Sequence, residues 1–385
     1  SRRGLASNIA MDETRYARHA LIDWFDQDRV RAARVGVVGA GAVGNEVVKN
    51  LALLGVGAIE LFDFDKIELH NLTRSVFFRA SDVGRPKALI LAERAQESNP
   101  DVCVRGVEGD FWSTLSLHTL RTFSTIICAV DNFEARVRLN QMCRIVGVDL
   151  VNAGIDSRFA VIEAFPFKAH SECGCYECHL PESAYQRMSE RYSCGGLRRR
   201  AWEAKKVPTT AITASIAGAL AVSKALRFGT PDEILGADRV LVDTHTGRSS
   251  TSVLDRNDAC HCCAMPWQGA TLLRAKRDLA GTLGLGLSEA ITDISIRLSE
   301  PVIAAYECVQ CGVPARASQL LMRPAAVYDD EITVCPRCRQ HTMRVEMRDI
   351  ITVDELMTVY RTLALGAKYV LAELPQGPVC IELED

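Results

Sequence analysis

Short apolar runs alternate with longer amphipathic stretches through the first 155 residues. Val35 to Val38 read as a buried strand, and Asn45 to Leu54 can follow it as a helix. The series continues with a strand at Ala58–Phe62, a helix at Lys87–Glu97, a strand at Val102–Val104 and a helix near Trp112–Leu120. A strongly apolar strand at Thr125–Val130, a helix over Glu134–Val146 and a strand at Leu150–Asn152 complete it. Such alternation predicts a doubly wound, mostly parallel sheet with helices on both faces. From residue 156 to 170 the apolar positions Phe159, Val161, Ala164 and Phe165 alternate with others, as in antiparallel strands that extend the sheet. A small, apolar run at Ala211–Leu226 predicts a buried helix, and strands are expected at Val240–Asp243 and Thr251–Leu254. Residues 1–33 read as a polar lead followed by a helix. A second region, 268–385, should contain a helix at Val353–Leu365 and a strand at Val379–Leu383.

Composition narrows the class. With 385 residues, 48 % of them hydrophobic, the chain can bury a full core, as one large domain over 1–267 and a smaller one over 268–385. A net charge of −3 gives no electrostatic reason to expect nucleic acid or a membrane surface as partner. Neither an apolar run long enough to span a bilayer nor a signal-peptide pattern stands out, and a cytoplasmic setting is the expectation. The fifteen cysteines change the picture, because eight of them form four C-x-x-C pairs. In a reducing compartment that spacing reads as zinc rather than disulfides.

The first helix opens on Gly39, Gly41 and Gly44, a G-x-G-x-x-G turn directly after a strand, which gives the fold a Rossmann-like start. Glycines allow a tight turn and let phosphate approach backbone N–H groups at the helix N-terminus. The second strand ends in Asp63, where a ribose-binding acid belongs. Asp63-Phe64-Asp65 is followed by Asn71-Leu72-Thr73-Arg74 and Gly84-Arg85-Pro86-Lys87. A dinucleotide oxidoreductase has no need of an Arg and a Lys there, whereas an enzyme that splits ATP does. Asp63, Asp65 and Asp131 all end strands, so they could converge on Mg²⁺ shared with phosphate. A plain helix N-cap is the competing reading of Asp131-Asn132.

Cys175 and Cys178, with Cys260 and Cys263, have the spacing of two hooks closing on one structural Zn²⁺. Cys173, Cys262, His179 and His261 leave the choice of four open, and buried free thiols are the bland alternative. Cys308, Cys311, Cys335 and Cys338 make a second, zinc-ribbon signature, with 23 residues between its pairs. Between the first two hooks, residues 180–206 form a polar loop that carries Cys194, Gly195, Gly196 and Arg198-Arg199-Arg200. Cationic neighbours favour a thiolate at Cys194, although an ordinary loop cysteine beside a solvated arginine run reads equally well locally.

Arg15-Tyr16-Ala17-Arg18, the glycine loop, D-F-D, N-L-x-R, G-x-P-K, D-N and the two hooks occur in one order across residues 12–267. In that order they resemble the ubiquitin-activating enzyme superfamily and its bacterial ThiF/MoeB-type adenylating enzymes for sulfur carriers, with a microcin peptide-adenylating enzyme among the relatives. The resemblance implies that Asp63 holds the ATP ribose, that Asn71, Arg74 and Lys87 engage phosphates, and that Asp131 handles Mg²⁺. It implies that Arg18 reaches a partner subunit's site, hence a homodimer, and that Cys194 carries the substrate as a thioester for handover to a conjugating enzyme. The substrate would be a ubiquitin-like or sulfur-carrier-like small protein. Ser75 departs from the glutamine common after the Arg, and the ribbon lies outside the shared core. A sulfur-carrier or peptide-antibiotic adenylating enzyme without a catalytic thioester is the nearest rival. A catalytically dead scaffold is a third, disfavoured because the Arg, Lys and Asp set is intact.

Overall fold

The computed structural model describes residues 15–184, 208–230, 236–264, 269–276, 295–312, 334–335, 337–340, 342–352, 355, 368–374 and 377–384. Strands β1 (Arg34–Val38), β2 (Ala58–Asp63), β3 (Cys103–Glu108), β4 (Thr125–Cys128) and β5 (Asp149–Ile155) pair in parallel. β6 (Phe159–Phe165), β7 (Asp238–Asp243) and β8 (Arg248–Val253) add antiparallel strands, giving the order β3-β2-β1-β4-β5-β6-β7-β8. This is the extended doubly wound sheet that the alternating pattern predicts.

Helices α1 (Gln27–Ala32), α2 (Ala42–Leu54), α3 (Lys87–Ser98), α4 (Phe111–Thr114), α5 (Leu117–Leu120), α6 (Phe133–Val146) and α7 (Ala211–Arg227) flank it. One face buries Val37, Leu61 and Val151 against Val47, Leu51 and Leu91 of α2 and α3 and Ala221 of α7. The opposite face buries Val38, Ile126 and Leu150 against Leu117 and Met142. Each such fully buried Val or Leu is worth about 1.5–3 kcal/mol. Gly218 brings α7 close to α2, since a Cβ there would lie 2.4 Å from Glu46 Cβ.

Several boundaries move for local reasons. The expected Trp112–Leu120 helix is two short ones, because the side chains of Asp110 and Ser116 each cap a fresh start. The apolar run at Thr125–Val130 stops pairing at Cys128, where Ala129 and Val130 turn over the glycine loop. The N-terminal helix is a 3-10 turn, His19–Leu21, followed by α1.

The C-terminal region holds a second sheet in the order β11-β10-β12-β13-β9, from β9 (Thr271–Lys276), β10 (Ser295–Cys308), β11 (Met343–Thr352), β12 (Tyr369–Leu374) and β13 (Gly377–Glu384). Of these strands the sequence pattern predicts only the last, at Val379–Leu383. β10 hides its period behind Arg297, Ser299, Glu300 and Pro301, and its pairing with β11 is broken by two register shifts. The expected helix at 353–365 lies outside the described residues apart from Glu355.

The two sheets share a core, with Tyr369, Leu371 and Cys380 packed among the residues beneath α5 and α6. Polar ties reinforce it. Glu382 accepts from the Leu117 amide at 2.5 Å and faces His118 Nδ1 at 2.7 Å, while Lys368 Nζ donates to the Trp112 carbonyl at 2.7 Å. No helix among the described residues is long and apolar enough to cross a membrane.

Candidate active site

The carboxyl ends of β1, β2 and β4 meet over the start of α2. Gly39 has φ +100°, and a Cβ there would lie 2.7 Å from the Ala129 carbonyl oxygen. A Cβ on Gly44 would come within 2.0 Å of the Gly39 carbonyl oxygen. Both glycines are thus required by the turn itself. Gly41 is different: its φ is −74° and nothing lies within 4 Å of where its Cβ would point. The fold does not need glycine there, but a phosphate seated on the first turn of α2 does.

Asp63 is fixed by two backbone amides, from Ala40 to Oδ2 at 2.6 Å and from Asp65 to Oδ1 at 2.7 Å. Burial pushes its carboxyl up from the usual range, and Lys87 and the two amides pull it back. Lys87, the first residue of α3, is buried and its Nζ reaches Asp65 Oδ2 at 2.7 Å. The backbone makes this meeting possible: Lys87 N donates to the Asp65 carbonyl, Ile67 N to Arg85 and Gly84 N to Ile67. D-F-D and G-R-P-K are therefore two sides of one loop pair.

Asn71 is buried, and its Oδ1 accepts from the Glu68 amide at 2.8 Å, capping the turn Leu69–Thr73. Arg74 follows that turn and donates to the His70 carbonyl at 2.7 Å. Asn45 ties this segment to the glycine loop, donating to the Ala40 and Gly41 carbonyls and accepting from Phe77 N at 3.2 Å. At the end of β4 it is Asn132 that caps α6, receiving the Ala135 amide at 2.8 Å, and Asp131 stands exposed beside it. Arg136 braces this corner from below, donating to the carbonyls of Val130 and Ala153 at 2.5 and 2.8 Å. Sequence reading missed Asn45 and Arg136, because their roles depend on contacts between loops that the linear order does not display.

Arg18 is not brought to this site within its own chain. It is exposed, on a turn anchored by Tyr16, whose hydroxyl accepts from Asn99 at 2.7 Å and whose ring fills the space over Gly55. Gly55 ends α2, so Arg18 sits beyond the far end of that helix, ~20 Å along its axis from the glycine loop. Cys194 lies outside the described residues.

Two groups of four thiols form. Five of the six Sγ pairs among Cys175, Cys178, Cys260 and Cys263 are 3.5–3.8 Å apart, and all lie within 4.8 Å of one another. A regular tetrahedron of thiolates about 2.3 Å from Zn²⁺ has edges of about 3.8 Å, so spacing and donor chemistry both fit that ion. Cys173, Cys262, His179 and His261 stay outside this group: His179 meets the Asp255 carbonyl and His261 meets Asp349. Cys308, Cys311, Cys335 and Cys338 gather where β10 and β11 diverge, with the Thr342 hydroxyl 3.1 Å from Cys308 Sγ.

A Rossmann-like sheet with this glycine turn and these cysteine hooks defines an α/β nucleotide-binding class. Residues 14–262 match the ThiF family, and the chain belongs to it. It is 31 % identical over 247 residues to ubiquitin-like modifier-activating enzyme 5 of Drosophila grimshawi, covering 60 % of this chain and 61 % of that one. It is 35 % identical over 158 residues to the sulfur carrier protein adenylyltransferase of Thermus thermophilus, covering 40 % and 58 %. With the SAMP-activating enzyme E1 of Haloferax volcanii it shares 34 % over 181 residues, covering 46 % and 66 %. The chain thus spans about three fifths of the length of the first two relatives and about two thirds of the third. The structure of E. coli MccB with ATP superposes with a TM-score of 0.54 at 24 % identity, over 66 % of this chain and 75 % of that one, a likeness of fold.

Proposed function

We propose that this chain is an ATP-dependent adenylyltransferase acting on the C-terminal carboxylate of a small ubiquitin-like or sulfur-carrier-like protein. The observation that carries the reading is the convergence of an unobstructed Gly41 turn, Asp63, Asp65 and Lys87 at one set of strand ends. A carboxylate is already ionised at neutral pH and needs no general base. One of its oxygens attacks the ATP α-phosphorus, the bond to the β-phosphate bridge breaks, and pyrophosphate leaves with the electron pair. What the protein must supply is alignment and cationic stabilisation of the phosphates. Asp63 takes the ribose, the α2 N-terminus with Lys87 and Arg74 takes the phosphates, and Asn71 holds the Arg74 turn. Asp131, with Asp65 at the end of the neighbouring β2 loop, would hold Mg²⁺, which when bound neutralises phosphate charge.

The finer reading adds a second step. The Cys194 thiolate attacks the acyl carbonyl, AMP leaves, and the resulting thioester passes to a conjugating enzyme, for which the C-terminal ribbon offers a docking element. Arg18 serves the site of the second subunit in a homodimer. Both thiol groups hold structural Zn²⁺, the chain divides into units 1–267 and 268–385, and its setting is cytoplasmic. The name of the Thermus relative favours keeping the sulfur-carrier alternative, in which a sulfur donor consumes the adenylate and no catalytic thioester forms.

Substrate-dependent exchange of pyrophosphate into ATP tests the first step. Lys87→Ala and Asp131→Ala should each reduce exchange at least 100-fold with an unchanged far-UV spectrum, and exchange at wild-type rate removes that residue from the mechanism. Cys194→Ala should keep exchange and lose a thiol-sensitive covalent adduct with the substrate protein by mass spectrometry. An adduct that survives in this variant, or is absent from wild type, leaves the adenylate-only reading standing.

A further inference from the structure

Arg144 poses a problem that the nucleotide chemistry does not solve. It lies in the last turn of α6 and is 6 % exposed, yet no carboxylate among the described residues pairs with it. Its guanidinium rests over the Phe167 ring at 5.4 Å, donates from Nη1 to the Cys173 carbonyl at 3.2 Å, and leaves Nε buried without a hydrogen-bond partner. A buried cation without a counter-charge costs several kcal/mol. The last turn of a helix returns at most a fraction of that.

The missing charge is close at hand. The carbonyl that Arg144 holds is that of Cys173, at the start of the hook leading into Cys175 and Cys178. Four thiolates around Zn²⁺ carry a net double negative charge. Two further guanidiniums beside this group are already committed, Arg256 to Glu172 and Asp258, and Arg297, which bonds the His261 carbonyl, to Asp349. The second thiol group has a different source of relief: its sulfurs are partly exposed and the Thr342 hydroxyl lies 3.1 and 3.3 Å from Cys308 and Cys338. In the first group Cys175, Cys260 and Cys263 are buried and Cys178 is half-buried, and no hydroxyl among the described residues takes that position.

We propose that Arg144 is the counter-ion of the first zinc centre, a positioning residue that holds the dianionic tetrathiolate of Cys175, Cys178, Cys260 and Cys263 in the low-dielectric core while its hydrogen bond to Cys173 fixes the hook. This rests on the zinc reading above. The two requirements meet in one residue: the thiolates need a cation, and no carboxylate among the described residues forms an ion pair with this one. Outer-shell partners of this kind are typically worth 10–100-fold in metal affinity.

The test is zinc release from the full chain to excess chelator, followed with a chromogenic zinc indicator, in wild type and in a Cys308→Ser background where only the first centre remains. Arg144→Met should speed release from the first centre 10–100-fold and leave the second unchanged. Arg144→Lys, which keeps the charge and most of the volume, should stay within threefold of wild type. If Arg144→Met does not fold, Arg144→Gln decides, because it keeps a donor for the Cys173 carbonyl without the charge: fast release supports the counter-ion role, and release at the wild-type rate overturns it. Equal release from wild type and Arg144→Met, or fast release from Arg144→Lys, overturns the proposal. Wild-type protein with no zinc in the first centre overturns instead the zinc reading beneath it.

Discussion

At the scale of single residues, the glycine loop separates what the fold requires from what a ligand requires. Gly44 admits no side chain, because its Cβ would lie 2.0 Å from a backbone oxygen of Gly39 that cannot retreat. Gly41 has ordinary backbone angles and open space before it. Gly44→Ala should therefore destabilise the protein by about 1–3 kcal/mol through overpacking, read as a lower urea midpoint. Gly41→Val should leave that midpoint close to wild type and raise the KM for ATP at least tenfold in the exchange assay, since its methyl groups stand where phosphate would. Wild-type KM in Gly41→Val would show that phosphate does not rest on this turn. The same contrast explains why the motif was visible at all. Glycine spacing, the D-F-D acids and Lys87 are local in sequence, and the backbone bonds between 63–67 and 84–87 bring them together without help from distant parts of the chain. Asn45, Arg136 and Arg144 act by bridging segments far apart in sequence, so nothing beside them in the chain marks them out.

At the scale of elements, the parallel half of the large sheet was legible because buried parallel strands are short unbroken apolar runs between amphipathic helices. The C-terminal sheet was not. β10 carries Arg297 and Glu300 toward partners in other elements, Asp349 on β11 and Trp112 on α4, so its polar residues look misplaced until those partners are known. The cysteine hooks were readable through spacing, but their consequence differs by position. The first joins β6 and β8 under the shared core, whereas the second closes the far end of the β10–β11 hairpin. Elemental analysis of carefully reduced protein should give two Zn²⁺ per chain, and Cys308→Ser should lose one of them. Its melting curve should fall less than that of Cys260→Ser, whose sulfur sits among the residues common to both sheets. A chain with no zinc at all would remove both metal assignments, and equal losses of stability would deny the first centre its place in the core.

At the scale of the whole molecule, the placement of Arg18 bears on the proposal that two chains make a site. The R-Y-x-R segment is fixed to the C-terminal end of α2 by Tyr16 and by the bond from Gln27 Nε2 to the Leu54 carbonyl at 2.9 Å. The glycine loop is at the other end of the same rigid helix, so no rotamer of Arg18 spans the distance within one chain. Around it, Leu21, Trp24 and Leu53 are more than half exposed, an apolar surface that another protein surface would cover. A homodimer in which each Arg18 serves the partner's site accounts for both facts. Arg18→Ala and Lys87→Ala homodimers should each be inactive in pyrophosphate exchange. After subunits are mixed and allowed to exchange, half of the chains enter mixed dimers if pairing is random, and each mixed dimer contains one site free of both lesions. Activity should return to roughly a quarter of the wild-type value per chain. Mixing with no recovery, once heterodimers are demonstrated by native mass spectrometry, would show that Arg18 acts within its own chain or has no part in catalysis. Recovery that tracks the heterodimer fraction would establish that the site is completed across the interface, and would assign the exposed apolar face beside Arg18 to the second subunit.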